Sequence, residues 1–95
     1  MENAFSLTPA LTDHARLRCI QMEVNTKRAK TIVLRPSLVV PGPPQYGENF
    51  VASADYDPEI QVAYTVDKTG RPVIKTVLWS DPAYYTRPDA KKVRS

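Results

Sequence analysis

A single proline, Pro36, divides this chain into two regimes of hydrophobic spacing. Before it, residues 12–35 contain neither glycine nor proline and carry apolar side chains at helical intervals. After it, apolar and polar residues alternate, and prolines and glycines punctuate the runs. The proline ring clashes with a helical conformation at the residue before it, so Arg35 is pushed out of the α region. The spacing therefore predicts helices first and strands second.

Thr12 is a good N-cap, and Asp13 follows it in the first turn, where the helix dipole favours a negative charge. The spacing predicts a helix over Asp13–Val24. Leu11, Ala15, Cys19 and Met22 share one face, and Leu17, Ile20 and Val24 an adjacent one. His14, Arg18 and Gln21 follow i, i+4, i+7 as a polar stripe along one edge. Asn25-Thr26 breaks the pattern and caps a second helix over Thr26–Leu34. Ala29, Ile32 and Val33 are its inward candidates, while Lys27, Arg28 and Lys30 point outward.

Beyond Pro36 the period falls to two. Ser37–Val40 reads as a short strand stopped by Pro41-Gly42-Pro43-Pro44, with Gln45–Glu48 continuing the loop. Asn49–Tyr56 is a second strand, and Asp57-Pro58 signals a turn. Ile60, Val62, Tyr64 and Val66 alternate with Gln61, Ala63 and Thr65, the pattern of a half-buried strand. Asp67-Lys68-Thr69-Gly70-Arg71 is a hairpin connection. The last strand, Val73–Trp79, sets Ile74, Thr76 and Leu78 on one face and Val73, Lys75, Val77 and Trp79 on the other. The expected fold is one α+β domain over residues 1–86, with two N-terminal helices packed on a four-stranded antiparallel sheet. Residues 1–11 are expected to be weakly ordered, with Phe5, Leu7 and Leu11 tucking against the body. Asp81-Pro82 closes the regular structure. Residues 87–95 are expected to form a basic, disordered tail, being too polar to fold alone.

Several function classes lose their footing on composition. One cysteine, Cys19, allows no internal disulfide, which fits a reducing compartment. No apolar run approaches the roughly 20 residues of a membrane-spanning helix. The start, MENAFSLTPA, lacks the basic and apolar regions of a signal peptide. A cytoplasmic location is the expectation. Three glycines form no nucleotide-binding fingerprint. One histidine and one cysteine make no zinc site. Asp55, Asp57 and Glu59 alternate without a calcium-loop pattern and read as a solvated rim. Any catalysis is thus expected to need neither metal nor cofactor.

The charge is unevenly spread. Residues 12–35 carry Arg16, Arg18, Lys27, Arg28, Lys30 and Arg35 against Asp13 and Glu23. The tail adds Arg87, Lys91, Lys92 and Arg94 against Asp89, whereas residues 36–86 are acidic on balance. That pattern suits a polyanion such as RNA, and equally a solvated helix face and a solubilising tail. Metal-free RNA cleavage fits the residue inventory, because the substrate supplies its own nucleophile, the 2′-hydroxyl. The protein then needs an acid, a base and cations near the developing phosphorane charge. His14 and Arg18 on one helix edge meet that need, and Thr76 or a tyrosine would add a hydrogen bond.

The segment Thr12-Asp13-His14-Ala15-Arg16-Leu17-Arg18 resembles the start of an uncharacterised domain family of bacteria and phages. That family shows roughly [ST]-x-H-A-x-x-R, then a second helix and four strands, and looks related to RelE-type toxins and the wider barnase/colicin/RelE ribonucleases. His14, Ala15 and Arg18 match the motif, as do Leu34-Arg35-Pro36 and Val73-Ile74-Lys75-Thr76-Val77, so the resemblance covers residues 11–81. Met22 and Glu23 stand where the family often carries an arginine and a glycine. The resemblance implies His14 as acid/base or substrate contact, Arg18 as phosphate contact and Thr76 as a supporting hydroxyl. Arg16, Lys27, Arg28, Lys30 and Lys75 are the expected further RNA contacts.

Three readings stand side by side. The first is an endoribonuclease toxin acting on mRNA or tRNA, on or off the ribosome, held in check by an antitoxin. The second is a non-catalytic phage or mobile-element protein that binds and inhibits a host protein through a patch around Trp79, Tyr84 and Tyr85. The third is simple RNA binding through the helix face and tail. A strand left exposed at the sheet edge would invite pairing into a homodimer, and the sequence does not single out that strand.

Overall fold

The computed structural model describes residues 7–43 and 49–81. Phe5, the loop Gln45–Glu48, Tyr84, Tyr85 and the tail 87–95 lie outside the described residues. The elements follow as β1 (Ala10–Leu11), α1 (Asp13–Met22), α2 (Thr26–Leu34), β2 (Leu38–Pro41), β3 (Phe50–Ala54), β4 (Asp57–Val66) and β5 (Pro72–Trp79). The class is α+β, as expected, but the sheet is not the four-stranded antiparallel one. It has five strands in the order β1-β5-β4-β3-β2. β2 to β5 form an antiparallel meander, and β1 adds parallel to β5 through Ala10↔Val73 and Leu11↔Ile74. Two residues hold too little pattern to announce a strand, so Ala10–Leu11 reads from sequence as part of a weakly ordered lead-in.

Capping chemistry sets the helix ends. Thr12 Oγ1 accepts from the Ala15 N–H at 3.1 Å and starts α1, and Asn25 Oδ1 accepts from the Lys27 N–H at 2.8 Å and starts α2. α1 stops at Met22, two residues before the expected end. Glu23 adopts a left-handed conformation, φ 56° and ψ 41°. The Glu23 N–H donates to the Ile20 carbonyl and the Val24 N–H to the Cys19 carbonyl, which closes a Schellman motif. Glycine usually takes that position because a Cβ is strained there. Glu23→Gly is therefore expected to raise the unfolding free energy by about 0.5–1 kcal/mol, read as a higher urea midpoint at constant slope. A lowered midpoint would mean that the Glu23 side chain contributes more than its backbone strain costs.

The helices cover one face of the sheet. Ala15, Cys19 and Met22 of α1 and Ala29, Ile32 and Val33 of α2 pack on Ala52, Ala54, Ile60, Val62, Tyr64, Ile74, Val77 and Trp79. The Phe50 and Tyr64 rings lie 5.5 Å apart in that layer. α1 lies over β1 and β5 at one side of the sheet and buries only a narrow stripe. Leu17 and Ile20, expected to widen its apolar face, are 50% and 73% exposed.

The strands depart from expectation in two further ways. β4 begins at Asp57, where a turn was expected, because the reversal occurs two residues earlier at Asp55-Tyr56. In β5 the alternation breaks. Ala63 pairs with Thr76 but Tyr64 pairs with Ile74, so Lys75 is an extra residue in a β-bulge. The bulge turns Ile74 onto the same buried face as Val77 and Trp79 and leaves Leu78 partly exposed. An unbroken period of two would have put Ile74 with Leu78 instead.

Candidate active site at the β5 edge

β1 pairs only with Val73 and Ile74, so the edge of β5 beyond them needs another partner. α1 supplies it. The Thr12 N–H donates to the Ile74 carbonyl at 3.1 Å, and the Thr12 hydroxyl donates to the Lys75 carbonyl at 3.3 Å. One turn further along, Arg18 Nε donates to the Val77 carbonyl at 3.1 Å. Three carbonyls around the bulge are thus satisfied by the first two turns of one helix.

This seam draws the three expected catalytic residues to neighbouring places. His14 Nε2 lies 3.4 Å from Thr76 Oγ1, joining two residues 62 positions apart in the chain. Arg18 sits beside them on Val77, but not as the open phosphate contact that a polar stripe implies. It is 8% exposed, its Nε is engaged by backbone, and burial pushes its guanidinium below the ordinary value. The guanidinium remains charged at neutral pH all the same. Its buried stem and its charged hydrogen bond make Arg18 part of the fold. Arg18→Ala is expected to cost about 2 kcal/mol in urea unfolding and Arg18→Met, which keeps the stem, about half of that. An Arg18→Ala variant as stable as the parent would show that this seam does not depend on the side chain.

The remaining cations divide. Arg16 is exposed on α1 but two residues from His14, on the opposite flank of the helix, whereas Lys75 is half-buried next to Thr76. Lys27, Arg28 and Lys30 stand on α2. Arg28 makes a two-pronged contact with Asp57, Nε to Oδ2 at 2.9 Å and Nη2 to Oδ1 at 2.6 Å, and reaches Glu59 at 3.5 Å. Asp57, by hydrogen bond and charge, and then Glu59 raise the Arg28 guanidinium, against an opposing desolvation. Asp57 and Glu59, read from sequence as a solvated rim, therefore pin α2 to β4, and Arg28 is committed to them rather than to a free RNA contact. Arg28 and Lys27 line a separate hollow with Asn25, Thr31, Tyr56 and Asp57. There the Tyr56 hydroxyl lies 2.7 Å from the Arg35 carbonyl oxygen and 3.2 Å from that of Thr31, closing the end of α2.

Two other expectations are settled by burial. Trp79, expected in an exposed aromatic patch, is 6% exposed in the core, and its Nε1 has no hydrogen-bond partner among the described residues. Cys19 is buried, and desolvation pushes its thiol up against a smaller opposing effect of Arg16, as befits a packing residue rather than a nucleophile. Among the described residues no group of three or more His, Cys, Asp or Glu side chains is placed to hold a metal ion, and no helix is long and apolar enough to cross a membrane. The part that sequence reading missed is Thr12. Its capping role was legible, but its second bond, to a bulge 63 residues away, was not. The chain matches no protein-family model, no curated protein and no solved structure.

Proposed function

We propose that this chain is a RelE-like toxin, an endoribonuclease that cleaves RNA through the substrate 2′-hydroxyl. The observation that carries the reading is the His14–Thr76 contact beside Arg18. A separation of 3.4 Å is long for a hydrogen bond to a ring nitrogen. Thr76 therefore orients the imidazole while leaving Nε2 open to a better donor. In the proposed step, neutral His14 takes the proton of the 2′-hydroxyl. The 2′-oxygen forms a bond to phosphorus and the bond from phosphorus to the 5′-oxygen breaks. The products are a 2′,3′-cyclic phosphate and a 5′-hydroxyl end, the departing oxygen gaining a proton from the imidazolium or from water. Lys75, beside Thr76, supplies positive charge near the phosphate, and Arg18 adds a fixed charge from behind the strand.

The substrates in this reading are mRNA or tRNA, free or on the ribosome, with an antitoxin as the natural inhibitor. The test is induced expression in a bacterial host together with cleavage of RNA by the purified protein. The parent, His14→Ala and Thr76→Val are compared. Arrest by the parent, relieved in both variants while they stay folded, supports the reading. Arrest that persists in both variants transfers it to the non-catalytic alternative, binding of a host protein, for which exposed Leu17 and Ile20 on α1 are an available surface. A parent protein inert on both counts removes the ribonuclease reading.

A further inference from the structure

The two edges of the sheet are treated differently. The β5 side is shielded by β1 and by the α1 groups on Ile74, Lys75 and Val77. The other edge is β2, and all four of its residues are exposed, Leu38 at 59%, Val39 at 39% and Val40 at 40%. An edge strand is usually protected by charge or by a bulge. Residues 36–43 contain no charged side chain, and β2 pairs with β3 in unbroken register.

The hydrogen-bond parity of β2 decides what fits there. The Gly42 N–H donates to the Asn49 carbonyl, in register with Pro41↔Phe50 and Val40↔Val51. Antiparallel residues alternate in direction, so Val40 and Leu38 also turn their backbone groups toward β3. Val39 and Pro41 turn theirs outward. Pro41 has no N–H, which leaves Val39 as the outward position within β2 that offers both a donor and an acceptor.

We propose that β2 is a homodimer interface, in which two copies pair antiparallel about a two-fold axis through Val39. In that register each Val39 N–H donates to the Val39 carbonyl of the second copy. Leu38 of one copy lies opposite Val40 of the other, joining four apolar side chains on the helix-free face. The next pair is Ser37 with Pro41. Pro41 lacks a donor, and the Ser37 N–H already donates to the Ser53 carbonyl at 2.8 Å. Neither copy therefore leaves a backbone donor unpaired against the other at that step. A neutral strand is also required, because a two-fold axis brings every charge close to its own copy, and residues 36–43 meet that requirement. Self-pairing thus asks β2 for an outward donor at Val39 alone, the position that has one.

The contact is small. It buries on the order of a few hundred Å² per copy, against roughly 800 Å² per partner in a standard stable interface. The dimer is accordingly weak, with a dissociation constant on the order of 100 µM. Sedimentation velocity of the whole chain from about 10 µM to 1 mM, a range bracketing that constant, reads it directly. The parent is expected to move reversibly toward twice the mass of one chain. Val39→Pro removes the outward donor without touching the β3 ladder, and Val40→Lys places a charge beside the axis. Each is expected to weaken association at least about 10-fold. A Val39→Pro variant that fails to fold by circular dichroism leaves Val40→Lys, which acts through a side chain, to decide. A parent that stays monomeric at the highest concentration, or a folded Val40→Lys that associates like the parent, overturns the proposal.

Discussion

Ile74→Ala is expected to cost about 3 kcal/mol of unfolding free energy, and Leu78→Ala less than about 1 kcal/mol. Ile74 is fully buried and sits in a cross-strand row with Tyr64 on one side and Leu11 of β1 on the other. Truncating it loses the transfer free energy of its methyl groups and leaves a cavity that two strands and α1 cannot easily close. A domain of this size has a total stability of roughly 5–14 kcal/mol, so the loss is a large share of it. Leu78 stands on the helix-free face, paired with Gln61 and partly exposed. The comparison isolates the bulge at Lys75. With unbroken alternation, positions 74 and 78 would share a face and an energetic cost. Equal losses in urea unfolding would therefore contradict the bulge, and the same experiment on Val77→Ala should follow Ile74 rather than Leu78.

For the proposed ribonuclease, His14→Ala is expected to lower the cleavage rate at least about 100-fold while changing stability by less than about 0.5 kcal/mol. His14 is exposed on α1, so its side chain adds little to packing. A positioned acid/base group contributes about 10²–10⁴-fold, and no other histidine exists in the chain to replace it. Thr76→Val removes the orienting hydroxyl at constant shape and is expected to cost about 10-fold, the effect of a looser imidazole rather than a missing one. A cleavage rate unchanged by His14→Ala would remove the histidine from the chemistry. Arg18 is the wrong residue for a first test, because its loss weakens the seam that holds His14 and Thr76 together.

The contrast between His14 and Arg18 also shows where sequence reading stops. Both lie on the stripe that i, i+4 spacing marks on α1. Spacing says that they share a face, and nothing in it says whether that face meets water or strand. α1 settles against the edge of β5, so the end of the stripe near Thr12 stays open while the turn at Arg18 is buried under it. Arg28 is a parallel case. It points out of α2, as its spacing indicates, and arrives against Asp57 and Glu59 of β4.

Local chemistry, then, was enough for the elements whose causes are local. The caps at Thr12 and Asn25, the end of α2 before Pro36, the alternation of β4 and the turn around Gly70 all follow from neighbours within a few residues. The α+β class follows from their order. Features whose cause lies across the fold were out of reach. β1 is a strand because β5 offers it an edge, not because of anything in Ala10-Leu11. The bulge at Lys75 exists in the pairing of β5 with β4, and the Thr12 bond to the Lys75 carbonyl spans 63 residues. Periodicity records which side chains point together along one segment. Which segment they then meet is fixed by backbone donors and acceptors that every residue carries alike, and only packing in three dimensions selects among them.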